Sequence, residues 1–157
     1  MKLKPNVEMW IYLAALVGLS HLVVVEGHAR VDLERRLAVE PRGLDRTLAR
    51  SRNAVQLVDV RPDLAGGYQE SHVPGAIPMP GCDEARAPEA ARGRILRSVP
   101  TVVISAGDAG PAEHDCVDRF TSARSLAGGM ESWSAANLPE DSGEYAPPST
   151  RAGGGCL

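Results

Sequence analysis

The sequence predicts an α/β fold, a mostly parallel sheet with helices on both faces, and three observations predict it. Short runs rich in β-branched residues recur at Val55 to Val60, Ala76 to Met79, Thr101 to Ser105 and Ala123 to Leu126. Helix-compatible segments separate them, and this alternation implies parallel strands joined by crossovers. The third observation is local. The run Val99 to Ser105 stops at a Gly-rich turn, Ala106 to Gly110, and Pro111 then opens a helical segment. Strand, glycine loop and helix N-terminus together form an anion-accepting loop in α/β proteins. Right-handed crossovers put such loops on one edge of the sheet. That ligand-facing edge is made by Asp59 to Arg61, Pro80 to Asp83, and the loop of Ser105, Ala106, Gly107, Asp108, Ala109 and Gly110.

The helical elements follow in order. Gly43 to Ser51 places Leu44, Leu48 and Ala49 on one side. Pro62 to Ser71 reads as a loop with a short helix, closed by the Pro74-Gly75 turn. Asp83 to Ser98 is Ala/Arg-rich and is expected to be helical, with Pro88 at a first turn and Ile95 and Leu96 facing inward. Pro111 to Phe120 carries the i, i+3 pair Val117 and Phe120. Gly128 to Ala136 is a last helix carrying Trp133.

With 157 residues the chain supports one domain plus tails. Its 17 basic and 20 acidic residues are interspersed, giving a net charge of −3. No basic stripe appears, so a nucleic-acid partner is not expected. The three cysteines, Cys82, Cys116 and Cys156, form no CxxC and no Cys/His cluster. Neither a metal site nor a cofactor is expected from them.

Lys2 and Lys4 precede an apolar run from Met9 to Val25, with Trp10 and Tyr12 at its start. A charged n-region before a long apolar stretch marks residues 1–29 as a signal peptide or membrane anchor. The rest of the chain would then lie outside the cytoplasm, periplasmic or membrane-anchored. Cleavage after Ala29 and retention as an anchor are both open. Residues 30–43 form a connecting segment, either a short helix or a helix leading into a first short strand. Residues 140–157 lack apolar periodicity and are expected to be disordered.

Four stretches resemble the rhodanese-like domain: Leu57 to Arg61 (LVDVR), Tyr68 to Ala76 (YQESHVPGA), Thr101 to Ile104, and Leu126 to Pro139 (LAGGMESWSAANLP). The resemblance spans Leu44 to Pro139. It implies a small five-stranded sheet in a three-layer sandwich, and sulfurtransferase chemistry on a persulfide carried by a cysteine at the end of the fourth strand. That position here is Ser105. Ser71 stands where the family has the glycine before its histidine. Asn137 replaces a second glycine, at little cost because Asn tolerates the left-handed conformation.

The change at Ser105 is chemical. A thiol ionises near ~8.5 and lower beside a helix N-terminus, whereas a serine hydroxyl stays protonated and holds no sulfane sulfur. A serine nucleophile needs a base within reach, and His114, the nearest in sequence, lies along the following helix. The related phosphatase loop needs Cys-x5-Arg, and Pro111 stands at the arginine position. Cys82, on the ligand edge, is the better candidate for a reactive thiol; Cys116 reads as a buried helix-face residue, and Cys156 as an incidental thiol in a Gly-rich tail. Asp59 and Arg61 are expected to fix the edge, with Glu70 as a mate for Arg61; anion binding by Arg61 is the alternative. His72 is read as a turn-stabilising residue, Gly128 and Gly129 as a tight strand-to-helix turn, and Trp133 as the residue packing the last helix down.

The leading expectation is therefore an extracytoplasmic rhodanese-like domain without sulfurtransferase activity. It would act as a binding or regulatory module for a small anion or a protein partner. The alternatives are a sulfur-transfer or thiol-redox enzyme using Cys82, and a structural partner of a membrane complex.

Overall fold

The computed structural model describes residues 9–21, 38–51, 54–108 and 115–147. It separates into two units, Met1–Leu37 and Ala38–Leu157. In the first, residues 9–21 are helical. Trp10, Tyr12, Leu16 and Val17 of this helix are all exposed. No described helix is long and apolar enough to cross a membrane. The remainder of the 1–29 segment lies outside the described residues.

The second unit is the α/β body. Helix α1 (Pro41–Arg50) opens with proline at its first turn, where the missing N–H costs nothing, and buries Leu44. Strands β1 (Gln56–Asp59), β2 (Ile77–Pro78), β3 (Thr101–Ile104) and β4 (Ala123–Ser125) form a parallel sheet in the order β2-β1-β3-β4. Val39 extends it by a single parallel bridge to Leu126. Among the described residues the sheet thus has four strands and this bridge, against the five strands expected. Helix α2 (Gly129–Ala135) closes the domain.

Alternation along the strands builds two cores. Leu57, Val102 and Ile104 face a cluster with Leu44, Tyr68, Met130 and Trp133, which holds both helices down. Val58, Val60 and Val103 face the opposite side, against Met79, Cys82, Cys116 and Phe120. The central strand β3 is buried along its whole length, as expected for a parallel strand covered on both faces. Trp133 is almost fully enclosed, and its indole N–H donates to the Pro139 carbonyl at 2.9 Å.

Three expectations need correction. Residues 83–98 are a string of tight turns instead of a helix. Asp83 caps only one 3-10 turn, Glu84–Arg86, and Ala87 is extended, as the residue before a proline must be. Gly93 then adopts φ +70°, so no helical run survives between Pro88 and the next strand. Leu96 faces solvent, while Ile95 packs against the second core. Residues 140–147 are ordered against the domain: His72 and Asp141 exchange backbone hydrogen bonds, Gly143 N–H donates to Gln69, and Tyr145 packs on the first core. Residues 148–157, with Cys156, lie outside the described residues.

Candidate functional site

The residues after β3 define the site. Ser105 leaves the C-terminal end of the central strand and is 3% exposed. Its hydroxyl donates to the Gly107 carbonyl at 2.7 Å, which turns the loop sharply back on itself. The loop's carbonyls are held by α2: Met130 N–H donates to Ser105 O and Glu131 N–H to Ala106 O, both at 2.9 Å. The helix N-terminus therefore receives main-chain carbonyl oxygens of the loop. Ala109, Gly110 and His114, also named by the sequence, lie outside the described residues.

Gly129 makes this contact possible. It has φ +53°, and a Cβ there would meet Gly107 O and Ser105 O. Gly128, with φ +64°, is equally constrained, because its Cβ would fall on the Ser132 side chain. The double glycine is the seat of the Ser105 loop.

The surroundings of the described part of the loop are acidic. The Glu131 carboxylate sits over Gly107, and Asp108 and Glu40 line an adjoining cleft of about 380 Å³ together with Arg42 and Ser132. These carboxylates share the cleft with the Arg42 guanidinium, so its described lining carries both signs of charge.

Asp59 and Arg61 stand beside this loop at the end of β1. The Asp59 carboxylate, 1% exposed, accepts from Arg61 Nε and from Arg61 Nη2 at 2.7 Å. Arg61 Nη2 also donates to Ser71 O at 2.6 Å. Arg61 thus pairs with Asp59 and the turn carbonyl, and Glu70 is exposed and takes no part. The fork geometry of guanidinium on carboxylate explains the preference for the partner two residues away. The Nε and Nη2 donors of Arg61 are thus both engaged by the scaffold.

His72 is buried, stacks on Tyr68 with ring centroids 3.9 Å apart, and contacts the Tyr68 carbonyl through Nδ1 at 2.8 Å. The Tyr68 hydroxyl in turn donates to Ala76 O at 2.7 Å. Burial, and secondarily the Asp59 carboxylate, push the Tyr68 phenol well above its ordinary range. The pair ties the turn at residues 74–75 to the π-helical turn Leu64–Tyr68.

The cysteines correct the sequence reading most. Cys82 and Cys116 form a disulfide, with Cα atoms 5.7 Å apart and a sequence separation of 34. Cys82 is therefore not a free thiol on the ligand edge, and Cys116 is more than a packed helix-face residue. Three irregularly spaced cysteines gave no framework to read. The usable signal was topological, since Cys82 follows β2 and Cys116 follows β3, the two strands that flank β1 in the parallel sheet. Among the described residues, no cluster of His, Cys, Asp and Glu could hold a metal ion.

Residues 44–136 match the family model of the rhodanese-like domain. The chain belongs to the rhodanese-like domain family. Solved structures agree with the fold. A Bacillus halodurans protein is 23% identical over 75% of this chain and 84% of its own, with a TM-score of 0.55. The rhodanese-like domain of an Anabaena protein is 24% identical, covering 77% and 87%, with a TM-score of 0.54. A thiosulfate sulfurtransferase from Pseudomonas aeruginosa is 20% identical, with a TM-score of 0.53; the match covers 74% of this chain and 22% of the enzyme. No curated protein matches the chain. In rhodanese-like terms, the four stretches that carry the resemblance fall on β1, the Tyr68–His72 turn, β3 and α2.

Proposed function

We propose that this rhodanese-like domain is a binding or regulatory module outside the cytoplasm, without sulfurtransferase activity. One observation carries the reading: the residue leaving β3 into the loop is Ser105, with its hydroxyl engaged on Gly107 O. Sulfur transfer on a protein carrier needs a thiolate to accept and release the sulfane sulfur. A serine hydroxyl provides neither. Cys82 and Cys116 offer no substitute, because a disulfide sulfur has no thiolate to load.

The compartment is supported by two independent features. Disulfides persist in oxidising environments and are rare in the reducing cytosol, and Cys82–Cys116 is such a bond. The N-terminal helix displays Trp10, Tyr12, Leu16 and Val17 as a lipid-facing or signal segment would. Retention of the fold without the thiol leaves the cleft beside Ser105 as a recognition surface. Its Glu40 and Asp108 beside Arg42 favour a protein partner over a small anion.

The test is mass spectrometry of the full chain after incubation with thiosulfate. No sulfur is expected on Cys82 or Cys116, and added sulfur at either would overturn the reading. A reporter active only outside the cytoplasm, fused to the full chain, should be active and should require residues 1–29; an inactive full-chain fusion contradicts the localisation, and activity without residues 1–29 contradicts their role in export.

A further inference from the structure

We propose that the N-terminal edge of the sheet, opposite the Ser105 loop, is a contact surface for an anionic lipid bilayer, with Leu96 inserted between Arg94 and Arg97. The inference rests on the reading above that the domain lies outside the cytoplasm, and adds a face of the domain that meets lipid.

The segment is held in place. Gln56, the first residue of β1, clamps the Leu96 backbone from both sides: Leu96 N–H donates to Gln56 Oε1 at 2.8 Å, and Gln56 Nε2 donates to Leu96 O at 3.2 Å. Thr121 N–H, just before β4, donates to the Arg97 carbonyl at 2.9 Å. These anchors fix residues 96–97 at the edge where β1, β3 and β4 begin. A clamped backbone with an outward side chain is a constrained display, which a slack loop is not. Leu96 is 54% exposed, and among the described residues it is the one large apolar side chain so exposed in the second unit.

Its neighbours supply the charge. Arg94 and Arg97 flank it and are exposed. Glu84 faces Arg97 at 3.9 Å with both side chains exposed, a separation at which solvent screens most of the attraction. An aliphatic wedge between guanidinium groups matches the interface of a bilayer, where the alkyl group enters the acyl boundary and the guanidinium forks engage phosphate oxygens. Contact at this edge would leave the Ser105 loop, at the opposite ends of the strands, turned to the partner side.

The test uses the full chain with Cys156→Ser and Leu96→Cys, labelled with an environment-sensitive fluorophore. The chain is mixed with vesicles of phosphatidylcholine alone or with phosphatidylglycerol, each carrying a lipid-borne quencher. A label at Glu70→Cys, beyond the other edge, is the control. Quenching at position 96 should appear with phosphatidylglycerol, fall in high salt, and be absent at position 70. Near a charged membrane each arginine contributes about tenfold or less, so Arg94→Gln with Arg97→Gln should shift the contact equilibrium on the order of thirtyfold. Unquenched label at position 96 on chains that float with both vesicles overturns the proposal and points to an acidic protein as the partner of this edge. Equal quenching at both positions overturns it too. Failure to float with phosphatidylcholine alone counts against the anchor and not against the edge. Salt-sensitive quenching with phosphatidylglycerol would then still support the edge, and its absence would refute it.

Discussion

Cys82 and Cys116 are joined across the second core, which fastens the loop after β2 to the segment that follows the Ser105 loop. Cys82 is in the left-handed conformation at φ 59°, unusual for a side chain with a Cβ. Arg119 holds its carbonyl at 2.8 Å. Both half-cystines are buried, at 5% and 0% exposure.

Opening this bond should therefore weaken the whole domain. Closing a chain loop of this length stabilises by about 2–5 kcal/mol. Cys82→Ser, Cys116→Ser and the double variant should lose similar amounts in denaturant titrations, because one bond is lost in each. A double variant much less stable than either single would mean the cysteines act separately.

Asp59 and Arg61 form the second buried tie. Removing one member leaves the other charge unpaired in the core, which costs about 3–5 kcal/mol. Arg61→Ala and Asp59→Ala should each destabilise by about that amount, and the double variant by less than their sum. Additive losses would show that the pair is not coupled.

Gly129 seats the Ser105 loop. Gly129→Ala places a Cβ against the Ser105 and Gly107 carbonyls at a left-handed φ. A loss of at least about 2 kcal/mol is expected from backbone strain and crowding together. Thermal unfolding measures it; an unchanged midpoint would contradict the tight seat.

Tyr68 predicts an alkaline limit. Its folded-state pKa is raised above the ordinary 10.0, so the folded protein holds this proton more tightly than the unfolded chain. The stabilisation is fully present below about pH 10 and is lost as pH rises beyond it, because the unfolded chain's phenol then ionises while the folded one still holds its proton on Ala76 O. Denaturation followed across this range should show the decline, and Tyr68→Phe should flatten it.

Most of the fold was legible because the strands carry their own signal. β1 and β3 are β-branched runs ending at turn residues, and their alternation to two cores follows from the pleat. Asn137 adopts φ 52°, the left-handed conformation its glycine-replacing position calls for. The 83–98 segment misled because Ala and Arg favour helix by composition, whereas Pro88 and Gly93 break it by position. The first residues of the tail carry no apolar periodicity, and their order comes from backbone pairing of Asp141 with His72, which composition does not report. At the site, Ser105, Gly128 and Gly129 were readable from motif spacing. The Arg61–Asp59 pair and the disulfide were not, because each depends on which loops the sheet brings together.

The central claim is that Ser105 ends sulfur transfer in this domain. Thiosulfate:cyanide sulfurtransfer by the full chain measures it most directly, alongside Ser105→Cys as a test of whether the loop can still hold a persulfide. No turnover above the uncatalysed rate is expected for the natural chain. Thiosulfate-dependent thiocyanate formation by that chain, lost on Cys82→Ser, would contradict it.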